Sequence, residues 1–317
     1  MQPQTVHSAA RASRVLLVGG CGYVGSHLHR HLVKDGFKVS VCDRGDRGNP
    51  QSLDVIGQDY ALLEADFLAG FDTVLWFAGH SSVGRAVQDP SGALANNCLN
   101  LLSFARKLAP GTRLVYASTG SLYSTADNQA PPADERSLAR VPSQNAYDIS
   151  KFAFDYLAEH FLSDFHALRL GTVSGWSPNL RDELVFNAMN LSAARAGVVR
   201  LRNRHARRTI LFLDDLWSMV RRLLEGDAAP GVCNVGSWSG SMGQLAQEIA
   251  AVWDAEVVDE GDSPTYSFEL DTSRMRHLCG AALHTCDLAA QCRSFVSACE
   301  AAGHPGVVRR GQTLQPR

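Results

Sequence analysis

The sequence is short of several features that would each have fixed its class. It has no run approaching the roughly 18 consecutive apolar residues of a membrane span, and its opening MQPQTVHSAARAS has no apolar core of a secretion signal. It has no CxxC pair: eight cysteines are scattered from Cys21 to Cys299, which suits reduced, buried thiols better than a disulfide framework. It lacks a charge excess, with 30 basic against 32 acidic residues and a formal charge of -2. That disfavours nucleic acid or an anionic membrane as the main partner. It has no internal repeat and no low-complexity segment. His277-Leu-Cys279 and His284-Thr-Cys286 repeat a His-x-Cys pair, but zinc knuckles space their ligands more tightly, so no metal is expected. The expected location is the cytoplasm.

What is present is globular. The 317 residues are 45% apolar and 20% charged, enough for two domains or one large α/β unit. From 14 to 170 short apolar runs alternate with amphipathic segments, the pattern of β-α units around a parallel sheet. Strands are expected at 15–18, 37–42, more weakly at 60–63, at 73–77, at 113–117 and from 167. Helices are expected at 23–35, 96–108 and 146–161. This predicts an α/β fold: a doubly wound (Rossmann) parallel sheet. After Gly171 regularity falls, leaving helices at 215–225 and 242–253 and a smaller, less regular C-terminal lobe. Residues 1–13 and 304–317 have little to bury and are expected to be disordered.

Gly19, Gly22 and Gly25 follow the first strand and open the first helix. Their spacing allows a tight turn, a close backbone approach to a pyrophosphate and close helix-strand packing. Asp43 ends the second strand, where a carboxylate can accept hydrogen bonds from ribose hydroxyls and repel a 2′-phosphate, favouring NAD over NADP. Arg44 and Arg47 follow and could hold that phosphate. Tyr147 and Lys151 are four apart on a helix, so both project from one face. An ammonium beside a phenol would lower its pKa towards that of a general base. Ser118-Thr119 end the fifth strand, where open α/β sheets bind ligands.

These motifs, together with Phe77-Ala78-Gly79, Asp66, Arg169-Leu170 and the stretch Arg208 to Asp215, resemble the extended short-chain dehydrogenase/reductase family and its NAD-dependent epimerase/dehydratase group. The segment Phe77 to Pro90 is similar to that of members of the UDP-glucose 4-epimerase type. The resemblance implies Thr119, Tyr147 and Lys151 as catalytic residues: Thr119 bonding the reacting hydroxyl, Tyr147 removing its proton, Lys151 also holding the nicotinamide ribose. It implies NAD contacts from Gly19, Gly22, Tyr23, Val24 and Gly25, from Asp43 and Arg44, from Asp66 and Phe67 beside adenine, and from Ala78, Gly79 and Asn97. Substrate contacts would come from Ser81, Thr119, Thr172, Asn187 and Arg208. Residues 14–174 would form the NAD-binding domain, with 208–231 returning to it, and 175–303 mainly the substrate lobe.

The activity so implied is epimerisation of a nucleotide-activated sugar, at C4 of a UDP-hexose, by transient oxidation and hydride return in a homodimer. Net reduction or oxidation of a sugar nucleotide or small carbonyl, and a non-catalytic dinucleotide sensor, are the alternatives. Three departures bear on the choice. Gly120-Ser121 replaces the Asp-Glu pair of the group's dehydratases, Ser81 replaces a lysine of the 4-epimerases, and Thr172 replaces a common asparagine. The run Arg200, Arg202, Arg204, Arg207, Arg208 could form an anionic-ligand rim or a solvated ribbon face.

Overall fold

The computed structural model describes residues 13–57, 59–81, 83–137, 145–226, 228–280, 283 and 286–304. The expected tails 1–13 and 304–317, apart from Ser13 and His304, lie outside the described residues, as does His284. The strands, in chain order, are β1 Arg14–Val18, β2 Lys38–Cys42, β3 Val55–Ile56, β4 Thr73–Trp76, β5 Arg113–Thr119 and β6 Phe165–Leu170. They continue with β7 Thr172–Ser174, β8 Val198–Leu201, β9 Arg207–Phe212, β10 Gly231–Val235, β11 Trp238–Ser241 and β12 Glu256–Asp259.

Seven of these form one sheet in the order β3-β2-β1-β4-β5-β6-β10, and every pairing in it is parallel. The chain winds outward one way from β1 and the other way from β4, so the strand order reverses between them and opens a crevice at their carboxyl ends. Continuous apolar sequence is what a strand covered on both faces requires: Val15, Leu16 and Leu17 are wholly buried. Leu17 joins a core shared with helices Tyr23–Lys34 and Leu213–Glu225, whereas Leu16 joins the opposite core around Trp76, Phe104 and Phe154.

Helix Leu213–Glu225 and β10 therefore belong to the large layer although they follow β7, β8 and β9 in the chain. The smaller lobe is built from the sheet β7-β9-β11, the pair β8-β12 and helices Val185–Ala196, Met242–Trp253 and Leu288–Ala301 around Phe186, Leu245 and Phe295. Ser241 and Gln244 close a capping box at the start of the middle helix.

Two expected elements differ. Residues 60–63 are not a strand: Tyr60–Leu62 is a single 3-10 turn capped by the Asp59 carboxylate, and the third strand is Val55–Ile56. A local Asx cap there competes with strand pairing. The helix expected over 96–108 is a composite of Pro90–Leu94, a π turn at Ala95–Leu99 and Asn100–Ala105. The extra residue per turn turns Asn97 inward, where it is 1% exposed.

Candidate active site

The crevice at the strand-order reversal is lined by the glycine loop, the ends of β1, β2 and β4, and Asn179 and Arg181 from the smaller lobe. Gly19 has φ +89, and a Cβ there would lie 2.6 Å from the Ala78 backbone nitrogen. A Cβ on Gly25 would lie 2.0 Å from the Gly19 carbonyl oxygen. Only glycine lets the loop double back against the helix this closely. The helix starts at Tyr23 with no side-chain cap, so its first amides are free to serve an anion.

Asp43 fixes the shape of this loop. Its carboxylate accepts the Cys21 amide at 2.9 Å and the Gly45 amide at 2.8 Å, and still has lone pairs to offer ribose hydroxyls. Arg44 lines the same crevice but is tied to Asp46 at 2.6 Å and to Asp59 at 3.7 Å. Arg47, Arg85 and Arg181 also line it, and the first of these has its pKa lowered by burial and by the other two. A wall that gathers three guanidiniums, Arg181 being tied to Glu183 at 2.7 Å, suits a pyrophosphate. Glycine loop, carboxylate and basic wall together fit a dinucleotide.

Gly22, Tyr23, Val24, Ala78 and Gly79 line the crevice, and so does Ser81, which the resemblance gave to the substrate. Asn97 stands behind it, donating to the His80 carbonyl at 3.2 Å and to Ser150 Oγ at 3.0 Å. Its Oδ1 would be 2.3 Å from a Cβ on Gly79. Asp66 and Phe67 are not brought to the crevice: both are exposed, on the short helix Ala65–Leu68, and the ring of Phe67 packs edge-on against Phe71. The dihedral freedom of that short helix leaves no sequence signal for which way they face; Tyr60 lines the wall instead.

The second half of the site lies where β5 ends and helix Ala146–Phe161 begins. Asn145 caps that helix, its side chain accepting the amides of Tyr147 at 3.0 Å and Asp148 at 3.4 Å. Tyr147 is hydrogen-bonded to Thr119. Thr119 Oγ1 is 2.7 Å from Ser121 Oγ, and Ser121 donates to Asp148. Asn145 donates to the other carboxylate oxygen at 2.5 Å and to the Tyr266 hydroxyl at 2.5 Å. Three hydroxyls thus run from a phenol to a fully buried carboxylate.

Burial pushes the Asp148 carboxyl up to about 6, against the pull of the Ser121 hydroxyl. Burial and the Asp148 charge push the Tyr147 phenol up to about 12, while Thr119 and Arg181 draw it down. The groups lowering it are therefore Thr119 and Arg181 and not Lys151, as the helix spacing suggested. The Lys151 ammonium is turned to the Ala117 carbonyl, 2.7 Å away, and burial brings it down to about 8. Arg181 both lines the crevice and acts on Tyr147, joining the two halves.

The arginine run divides cleanly. Arg200 and Arg202 pair with Glu260, Arg204 with Asp259 and Arg207 with Glu269. Arg208 instead lies over the rings of Tyr266 and Phe268 at 5.8 and 5.3 Å and donates to Thr265. Its pKa falls to about 10 through burial, countered only by the Tyr266 phenol. A half-buried guanidinium facing one phenol and one phenyl ring is prepared for an anion.

One expected substrate contact is corrected. Asn187 is wholly buried; its Oδ1 accepts the Gly175 amide at 2.9 Å, and its Nδ2 donates to the Tyr23 hydroxyl at 3.2 Å and to the Arg181 carbonyl at 2.9 Å. Its amide is used up in holding Arg181 and Tyr23. Thr172 opens β7 within the small sheet, paired to Ile210. Sequence reasoning passed over Asp148, Ser121 and Tyr266, although an acid directly after the tyrosine of a Tyr-x-x-x-Lys pair was visible.

The chain is similar to known proteins in sequence and in fold. Among curated proteins the chain is 27% identical over 219 residues to UDP-glucose 4-epimerase of Corynebacterium glutamicum, covering 64% of this chain and 63% of that one. It spans less than two thirds of the length of the curated relatives it matches first. In overall fold it is similar to UDP-glucose 4-epimerase of Thermotoga maritima, solved with UDP-glucose, at TM-score 0.77 and 18% identity over 92% of this chain and 100% of that one. It is likewise similar to UDP-glucuronic acid 4-epimerase of Bacillus cereus, solved with UDP-glucuronic acid and NAD, at TM-score 0.77 and 18% identity over 91% and 99%. Residues 15–236, which carry the crevice, the hydroxyl chain and Arg208, match the family profile, and the chain belongs to the NAD dependent epimerase/dehydratase family.

Proposed function

We propose that this chain epimerises a nucleotide-activated sugar, at C4 of a UDP-hexose, with retained NAD. The observation that carries the reading is the bond between Tyr147 and Thr119 at the carboxyl end of β5, with Arg208 set over the rings of Tyr266 and Phe268. In that arrangement Thr119 orients the reacting hydroxyl and Tyr147 takes its proton. Bound NAD supplies the hydride acceptor and donor. Asp43 and the glycine loop hold its adenosine side, and Lys151 its nicotinamide ribose. Arg208 binds the substrate diphosphate, and binding energy from that remote group holds the nucleotide while the sugar presents its other face.

Asp148 serves as a positioning residue that acts through Ser121 and Thr119. When its carboxylate is ionised, each hydroxyl in the chain donates towards it, so the Tyr147 proton can step to Thr119, that of Thr119 to Ser121 and that of Ser121 to Asp148. Three O–H bonds break and three form, which leaves a phenolate and a carboxylic acid. The Gly120-Ser121 pair places no carboxylate of its own next to Thr119, which supports epimerisation over dehydration.

Exposed Leu94, Leu99, Phe152, Tyr156 and Phe161 lie on the neighbouring helices 90–105 and 146–161. Such a stripe supports burial against a second copy.

The test is to denature the purified protein, identify any dinucleotide released, and incubate fresh protein with UDP-, dTDP- and GDP-sugars without added cofactor. The expected result is released NAD and an equilibrium mixture of C4 epimers with no lasting absorbance of NADH. Conversion only with stoichiometric added cofactor would establish the net oxidoreductase instead. Unchanged turnover in Tyr147→Phe would remove the mechanism.

A further inference from the structure

On the far side of the glycine-motif helix, His27 and His31 sit four residues apart and face helix Leu213–Glu225. Their rings lie 4.6 Å apart, as the helical spacing brings about. Asp214, in the first turn of the facing helix, has its Oδ1 3.4 Å from His27 Nε2 and 3.8 Å from His31 Nε2. All three donor atoms lie within 4.8 Å of one another. A tetrahedral zinc with bonds of about 2.0–2.1 Å holds its ligand atoms about 3.3–3.4 Å apart. Small side-chain rotations would bring these three to that spacing.

A second observation points the same way. His27 is 5% exposed, yet neither of its ring nitrogens has a hydrogen-bond partner among the described residues. Buried imidazoles ordinarily satisfy both. Its Nε2 instead faces Asp214 and the ring of His31. The ring of Trp217 stacks on that of His31 at 5.4 Å and fixes its orientation. The solvent side of the cluster, where the Asp214 side chain is 59% exposed, leaves the fourth vertex to water.

We propose that His27, His31 and Asp214 form a binding site for a divalent transition cation, zinc by the chemistry of two imidazoles and one carboxylate. None of the three lines the cofactor crevice. The bound ion would pin the glycine-motif helix to helix Leu213–Glu225. The step is independent of the sugar chemistry, so its test needs no substrate.

Full-length protein treated with a chelator and freed of it is titrated with ZnCl2 by calorimetry and with CoCl2 by absorption. The expected result is one equivalent bound, visible ligand-field bands of a low-symmetry cobalt site, and a melting temperature raised by zinc. His31→Ala and Asp214→Asn should each weaken zinc binding at least about tenfold and abolish the rise in melting temperature. Because both side chains reach solvent, the variants keep the core intact. Equal zinc affinity in wild type and His31→Ala overturns the proposal. So does an absence of binding, or a thiolate-to-cobalt charge-transfer band, which would place the metal on cysteine.

Discussion

Ser121 donates its hydroxyl to the carboxylate of Asp148, and among the described residues no side-chain cation is bonded to it: the other carboxylate oxygen is met by the Asn145 amide. A wholly buried carboxylate held by a hydroxyl and an amide is costly when ionised, which is why its pKa rises from 3.8 to about 6. Its cost is borne at the one place where a phenol must lose a proton.

Replacing Asp148 by Asn tests this on two independent readouts. The folded-state pKa lies above the unfolded value, so the folded protein binds this proton more tightly, and the carboxyl costs stability as pH rises from about 4 through 6. Asp148→Asn should therefore melt higher than wild type at about pH 7, by an amount on the order of 2–3 kcal/mol, and the two should converge near pH 4. Catalysis should move the other way. The acid limb of kcat near pH 6 disappears, and kcat falls on the order of 100-fold. A lower melting temperature at neutral pH with an unaltered pH profile would mean a purely structural residue.

Arg208→Ala should raise KM for a nucleotide sugar more than tenfold, about 1.4 kcal/mol or more, with NAD affinity unchanged. Steady-state kinetics beside a dinucleotide titration separates the two. Arg200→Ala, whose guanidinium pairs with Glu260 at 2.8 Å, should change neither.

Gly25→Ala sets two effects against each other. Alanine favours a helix by about 1 kcal/mol over glycine, but here its Cβ would press on backbone, 2.0 Å from the Gly19 oxygen and 2.7 Å from Gly20 Cα. Backbone cannot rotate away as a side chain can, so the clash wins: we expect net destabilisation of about 2–3 kcal/mol and loss of retained dinucleotide, read by thermal melting and by the nucleotide released on denaturation.

Tyr156→Asp combined with Phe161→Asp places charge on residues 58% and 68% exposed. Light scattering at micromolar protein should show a dimer in wild type and a monomer in the double variant, with the melting temperature of the monomer little altered. A wild-type monomer would refute the dimer.

The fold was legible wherever a local rule and the tertiary demand coincided. Val15 to Val18 reads as a doubly covered strand and is one, and Gly19 and Gly25 stand where the backbone admits nothing larger. The Tyr147–Lys151 helix was bounded correctly because Asn145 is a strong cap and His160-Phe161 runs into a loop. What escaped was set by contacts distant in sequence. Asn187 is a ligand contact by the family resemblance, but its donors and acceptor are used by Tyr23, Gly175 and Arg181. Lys151 shares a helix face with Tyr147, yet the carbonyl of Ala117 on β5 claims its ammonium. Arg208 is already set apart by the resemblance, and what the sequence could not give is the pairing of its four neighbours with Glu260, Asp259 and Glu269.

The place of β10 bears on how the molecule is made. β6 is buried along its whole length and pairs with β5 on one side and β10 on the other, and β10 leaves the ribosome some sixty residues later. Until residue 235 has emerged, the nascent chain presents an unfinished apolar border where Phe165 to Leu170 should be sealed, open to pairing with any other strand that drifts past. A polypeptide cut after residue 174 would keep that border permanently and should aggregate, so the half that grips the dinucleotide is not a detachable module.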